Sequence, residues 1–140
     1  MESIVYVGMD VHKDSYSICC YKAKEDKFYY EKKVKAETKR VIKYLESVKE
    51  IFGEETIFCC GYEAGPTGFG LYRDLEKEGY ACVVMAPTSL KKSANQKVKN
   101  DRVDARYLAK TLFTKDYSAV NVTTEEEEAI KELEGMGYSY

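Results

Sequence analysis

The sequence predicts an α/β fold, a mixed sheet flanked by helices. Runs of β-branched and aromatic residues of strand length recur along the chain, and between them lie stretches whose apolar residues repeat with a helical period. Four carboxylates, Asp10, Glu63, Asp101 and Asp104, fall at the ends or starts of three of these elements.

Ile4 to Met9 is an almost unbroken apolar run, the first strand, and it leads into Asp10. Ser15 to Tyr21 and Phe28 to Val34 are rich in Tyr, Ile and Val and are separated by the charged turn Lys24-Glu25-Asp26-Lys27. Such short links predict a meander. Thr38 opens a helix with apolar residues at Val41, Ile42, Leu45, Val48 and Ile51, and Gly53 closes it. Thr56 to Tyr62 is a fourth, buried strand that runs into Glu63. Gly65-Pro66-Thr67-Gly68 breaks it and starts a second helix through about Glu78, with Gly79 as its C-cap and Tyr80 to Ala86 as a fifth strand; strand, helix, strand predicts a parallel crossover. Pro87, Thr88 and Ser89 lead into a basic segment, where Asn100 is the expected N-cap of a helix running to about Phe113. Tyr117 to Val122 predicts a short edge strand. Thr123 and Thr124, with Glu126 and Glu127 three residues on, are capping-box patterns for an acidic helix ended by Gly135.

The order β-β-β-α-β-α-β-α is that of the ribonuclease H-like, or RuvC-like, fold. There the first strand lies centrally with the fourth beside it, so Asp10 and Glu63 are expected to emerge side by side. A helix packed across the sheet would bring Asp101 and Asp104 to them, since an i, i+3 spacing sets both on one side of a helix. Carboxylate oxygens are hard ligands suited to Mg²⁺ or Mn²⁺, and two such ions about 3.5–4 Å apart clamp the attacking and leaving oxygens of a phosphodiester. Each acid alone has an ordinary reading: acids in a first helical turn complement the macrodipole, and Glu63 beside a turn is solvated. As a set from three elements they point to a divalent-metal site.

Charge is segregated along the chain. Between Lys91 and Lys115 eight cations stand against Asp101 and Asp104, so this window carries +6 and leaves −8 for the rest of a chain that sums to −2. That placement suits a nucleic-acid-facing surface. Lys91, Lys92, Lys97 and Lys99 enter the expected helix at its acidic end, where they would hold a scissile strand. Arg102 and Arg106 are further candidate nucleic-acid contacts; on a helical wheel they form, with Lys110, a stripe nearly opposite the two aspartates, either solvated or facing RNA or another subunit.

Other features bound the function by what they lack. The five cysteines include two adjacent pairs, Cys19-Cys20 and Cys59-Cys60, inside strands, where neighbours point to opposite faces; they read as reduced core residues rather than zinc ligands. His12 is the sole histidine, which excludes a His-based triad within this chain, and its place two residues past Asp10 suits either lining the site or plain exposure. The Gly65-Pro66-Thr67-Gly68 turn lacks the lysine of a phosphate loop. An actin-like or sugar-kinase ATPase would place Gly just after the first-strand Asp, whereas Val11-His12-Lys13 follows here, and no basic constellation surrounds a tyrosine as a tyrosine recombinase would need. No apolar run spans a membrane and MESIVYVG is no secretory signal, so the cytosol is the expected location.

The stretches VGMDVHKDSYSICCY, GYEAGPTGFGLYRDLEKEGY and APTSLKKSANQKVKNDRVDARYLAK resemble, in order and spacing, the N-terminal domain of the DEDD-type transposases of the insertion-sequence 110 family, with NDRVDARYLA the most diagnostic part. The resemblance implies a RuvC-like domain over residues 1–122, in which Asp10, Glu63, Asp101 and Asp104 are catalytic and bind Mg²⁺ or Mn²⁺, and the start of a helical connector over 123–140. It implies DNA and a structured guide RNA as partners, and further copies of the chain in the full-length protein. Family members continue into a second domain bearing a serine nucleophile; Ser139 is not nominated for that role. The expectation is a domain that does not recombine DNA by itself. The alternatives from other classes are a stand-alone Mg²⁺-dependent nuclease and a non-catalytic nucleic-acid-binding module.

Overall fold

The computed structural model describes residues 3–87 and 104–122. Their elements follow in the order β1 (Ser3–Val11), β2 (Ser15–Lys22), β3 (Lys27–Lys35), α1 (Thr38–Phe52), β4 (Thr56–Glu63), α2 (Gly70–Lys77), β5 (Ala81–Met85) and α3 (Ala105–Thr114). The strands form one sheet of order β3-β2-β1-β4-β5. β1, β2 and β3 are the expected antiparallel meander, β4 lies parallel to β1, and β5 parallel to β4 through the α2 crossover. β1 is therefore central, as the element order requires.

Alternation along each strand sorts the side chains into two layers. Val5, Val7 and Met9 of β1, with Ile18, Cys20, Cys60, Tyr62 and Val84, pack against Val41, Leu45 and Val48 of α1 and Leu71 and Leu75 of α2. The opposite face is covered by α3, whose Leu108 and Leu112 pack with Met85. Cys19 and Cys20 are adjacent and both fully buried, which only a strand covered on both sides allows.

Local chemistry explains the boundaries. Val41, Tyr44, Leu45 and Val48 make the buried stripe of α1, so Tyr44 completes it where the expected Ile51 is left exposed. Gly53 ends α1 at a φ of 117°, and Gly79 ends the α2 turn at 91°, conformations that a side chain would strain. Thr38 Oγ1 donates to Asp74 Oδ2 at 2.8 Å and ties α1 to α2. The edge strand expected over Tyr117–Val122 contracts to one antiparallel bridge, Met85 to Ala119, supported by Ala86 N–H to the Ser118 carbonyl and Val120 N–H to the Val84 carbonyl, each 2.8 Å. The acidic helix expected after Thr123 lies outside the described residues.

β3 carries a bulge. Ile18 pairs with Lys32 and Cys20 with Tyr29, so Tyr30 and Glu31 together oppose Cys19, and Tyr30 takes a φ of 53°. The Tyr30 carbonyl accepts a 2.8 Å hydrogen bond from the Tyr44 hydroxyl, which also lies 3.3 Å from Cys20 Sγ. A helix side chain thus satisfies a backbone group that the irregular ladder would otherwise leave wanting.

All five cysteines are free, and four are buried. Burial pushes the Cys20 thiol up to about 11 and those of Cys19 and Cys82 to about 12, with Cys60 well above its ordinary value. The fold therefore holds these thiols protonated. Below the ordinary thiol range near 9 both folded and unfolded chains are protonated and this contribution is complete; as pH rises, the unfolded chain ionises first and stability falls until the folded values near 11–12 are passed. The buried hydroxyls of Tyr44 and Tyr62 shift in the same direction for the same reason. The urea midpoint should thus be flat from neutrality to about pH 8 and fall steeply above pH 9. An equal or higher midpoint at pH 10.5 than at pH 8 would contradict that burial. No helix among the described residues is long and apolar enough to cross a membrane.

Candidate metal centre

The parallel ladder between β1 and β4 pairs Gly8 with Gly61. Two residues further along each strand stand Asp10 and Glu63, which therefore share a face and a level on neighbouring strands about 4.8 Å apart. Both line one cleft of about 590 Å³, together with the Gly65-Pro66-Thr67 turn and Leu108 of α3. The turn is held from below: the Tyr62 hydroxyl donates to the Gly68 carbonyl and accepts from Tyr72 N–H, each at 3.2 Å. Beyond Glu63, Ala64 N–H donates to the Met85 carbonyl at 2.8 Å, so β4 stays paired past the acid.

The two glycines decide how close α3 comes. A Cβ on Gly8 would collide with the Ala105 carbonyl oxygen and the Ala109 amide nitrogen and stand 2.9 Å from the Ala109 Cα; one on Gly61 would stand 2.6 Å from Leu112 Cδ2. The helix backbone rests directly on β1. Tyr6 meets Phe113, with ring centroids 5.6 Å apart, while Gly8 meets Ala105 and Ala109, so α3 runs antiparallel to β1 and its N-terminal end lies toward Asp10.

Asp104 stands at that end. Its backbone is extended, with φ −125° and ψ −179°, and its Oδ1 accepts the Tyr107 N–H at 2.9 Å, which makes it the N-cap of α3. The expected cap, Asn100, lies outside the described residues. Since Asp104 precedes the helix instead of belonging to it, the helical i, i+3 spacing does not by itself set Asp101 beside it. Asp101, Lys91, Lys92, Lys97, Lys99 and Arg102 lie outside the described residues. Among the described residues no group of three or more His, Cys, Asp or Glu side chains is arranged to hold a metal ion. Two of the four acids thus share the cleft, and a third caps the helix that points at it.

His12 Nε2 lies 3.2 Å from Asp10 Oδ1, with the imidazole largely exposed. Arg106 and Lys110 turn toward β2 and β3: Arg106 Nε is 3.0 Å from Glu31 Oε1 and its guanidinium 5.3 Å from the Phe28 ring centroid, and Lys110 Nζ is 3.8 Å from Asp26 Oδ1. These two of the three cations of the basic stripe are matched by acids of β3 and of the β2–β3 turn.

Chemically, the cleft presents two adjacent hard-oxygen donors at an open sheet end, a donor set that fits Mg²⁺ or Mn²⁺ and not a soft-ligand metal. Gly8 and Gly61 are not among the positions expected from the sequence to shape the site. A glycine inside an apolar strand is a signal that another backbone comes close, and it was available at both positions.

A transposase family, the DEDD type of the insertion-sequence 110 group, matches over residues 7–139. The chain is 36% identical over 112 residues to a transposase for insertion sequence element IS1533 of Leptospira borgpetersenii, covering 80% of this chain and 32% of that protein. It is 34% identical over 129 residues to the putative transposase y4qE of Sinorhizobium fredii, covering 91% of this chain and 32% of that protein. The chain spans about a third of the length of these relatives.

Proposed function

The chain belongs to the DEDD-type transposase family of the insertion-sequence 110 group, and on that premise we propose that it is the metal-binding domain of a transposase that cuts and rejoins DNA phosphodiesters under the direction of a structured guide RNA. The observation that carries the reading is the pairing of Asp10 and Glu63 at one level of two parallel strands, over an open cleft. Asp10 and Glu63 would hold Mg²⁺ or Mn²⁺, with Asp104 and Asp101 joining from the chain that enters α3. When bound, the ion supplies charge neutralisation at a phosphate oxygen. The domain's own residues orient the carboxylates through the ladder and keep α3 at backbone contact through Gly8. The nucleophile comes from a serine-bearing second domain, and the assembly contains further copies of the chain. Lys91, Lys92, Lys97, Lys99 and Arg102 are the proposed contacts to the nucleic acid, with Arg106 held by Glu31 at the helix side.

The test is strand cleavage and joining on DNA carrying the ends of the element, by a polypeptide containing these residues together with the serine-bearing region and its RNA. Loss of even an outer-shell partner of a metal costs about 10–100-fold, so Asp10→Asn and Glu63→Gln should each reduce recombination by at least about 100-fold. Recombination at the wild-type rate by either variant would contradict the assignment.

A further inference from the structure

We infer that the β3 edge beside the carboxylate cleft is a phosphate-holding surface for the DNA strand, with Lys33 and Lys35 as its contacts, an inference that rests on the DNA-processing function proposed above. Cross-strand pairing sets the geometry. Asp10 pairs with Ser17, and Ser17 with Lys33, so the three side chains stand in one row on one face of the sheet, with Glu63 next in the row on β4. Lys33 lies two strands from Asp10, about 10 Å, and Lys35, paired with Ser15, about 7 Å further along the edge. Lys13, in the turn between β1 and β2, lines the cleft itself.

The β3 bulge puts these lysines there. Tyr29 faces α1, and simple alternation from it would turn residues 31, 33 and 35 to the α1 side. The extra residue at Tyr30–Glu31 shifts the phase by one, so Lys32 opposite Ile18 takes the α1 side and Lys33 and Lys35 take the side of the acids.

No described helix covers the row, and its lysines have no ion-pair partner among the described residues. α3 begins at Ala105, over Gly8, so the level of Asp10, Ser17 and Lys33 lies beyond the end of the helix. Lys13, Lys33 and Lys35 are exposed, and none forms an ion pair among the described residues. Glu31, the one acid of β3, is taken by Arg106, and Glu37, after the strand, by Arg40; besides Asp10 and Glu63, Asp14 in the β1–β2 turn is the neighbouring acid among the described residues. Cations flanking a pair of carboxylates on an open face suit a polyanion whose backbone continues past the metal site, because the acids alone would repel it.

The experiment compares Lys33→Gln/Lys35→Gln with Lys27→Gln/Lys32→Gln, which removes the same charge from the opposite face of the same strand. Binding of a labelled single-stranded DNA oligonucleotide is followed by anisotropy against salt. Two lost phosphate contacts at about 0.7 each should flatten the slope of log affinity against log salt by about 1.4 for the first pair, and by less than half of that for the second. Equal or reversed losses, no DNA binding by the wild type, or a larger loss for the RNA oligonucleotide of the same sequence would overturn the inference. A Mn²⁺-induced rise in melting temperature, measured on the same proteins, reports on the carboxylates alone; its absence would count against the metal site without moving the lysine result.

Discussion

Gly8→Ala should be among the most damaging conservative substitutions in the domain. The added methyl meets backbone atoms of α3, the Ala105 carbonyl and the Ala109 amide, and backbone has no rotamer with which to yield. Overpacking of a core costs about 1–3 kcal/mol, and here the upper end applies, about 3 kcal/mol, a fall in melting temperature on the order of 10 °C. Gly61→Ala tests the explanation because its methyl meets only the Leu112 side chain, with Cδ2 at 2.6 Å, Cδ1 at 3.1 Å and Cγ at 3.2 Å, and a side chain can shift where backbone cannot. Its cost should be about 1 kcal/mol, and Leu112→Ala in the same chain should relieve the contact while adding its own cavity. Thermal melts of the single variants decide: Gly8→Ala melting at or above Gly61→Ala would mean that α3 does not rest on β1 as described. Displacing α3 would also move Asp104 away from Asp10, so Gly8→Ala should weaken divalent-metal binding although it removes no ligand.

Much of this architecture is legible in the residues because each level of the chain agrees with the next. The stripe Val41, Leu45, Val48 and the stop at Gly53 both say helix, and the short charged turn Lys24-Glu25-Asp26-Lys27 says hairpin, so α1 and the meander fall where pattern places them. Element order then fixes β1 beside β4 and, with it, Asp10 beside Glu63. The helix start is less legible. Asn100 and Asp104 are equally good caps by type, and the choice depends on where α3 can seat on Gly8, a tertiary fact that the local sequence does not contain. The β3 bulge is hidden for a similar reason. Its left-handed residue is Tyr30, not the glycine that would have announced it, and what supports that conformation is the Tyr44 hydroxyl from a helix fourteen residues away. Reading β3 as a regular strand leaves Lys33 and Lys35 on the wrong face.

The central claim, that Asp10 and Glu63 are the core of a divalent-metal site, is tested most directly by titrating Mn²⁺ into metal-free protein and following the melting temperature of the wild type, Asp10→Asn, Glu63→Gln and Asp104→Asn. An ion present at 100-fold over its Kd stabilises the fold by about 2.7 kcal/mol, on the order of 8 °C for a chain of this size. Asp10 also lies 3.2 Å from His12 Nε2, so the response of each variant is read against its own metal-free melting temperature. Asp104→Asn keeps the helix cap, since Asn serves there as well as Asp, so any change in its response reports on ligation and not on α3. Millimolar Mn²⁺ is expected to raise the melting temperature of the wild type, to leave Asp10→Asn and Glu63→Gln where they were, and to raise Asp104→Asn less than the wild type. An equal rise in the wild type, Asp10→Asn and Glu63→Gln would place the ion elsewhere and rule out this pair as its ligands.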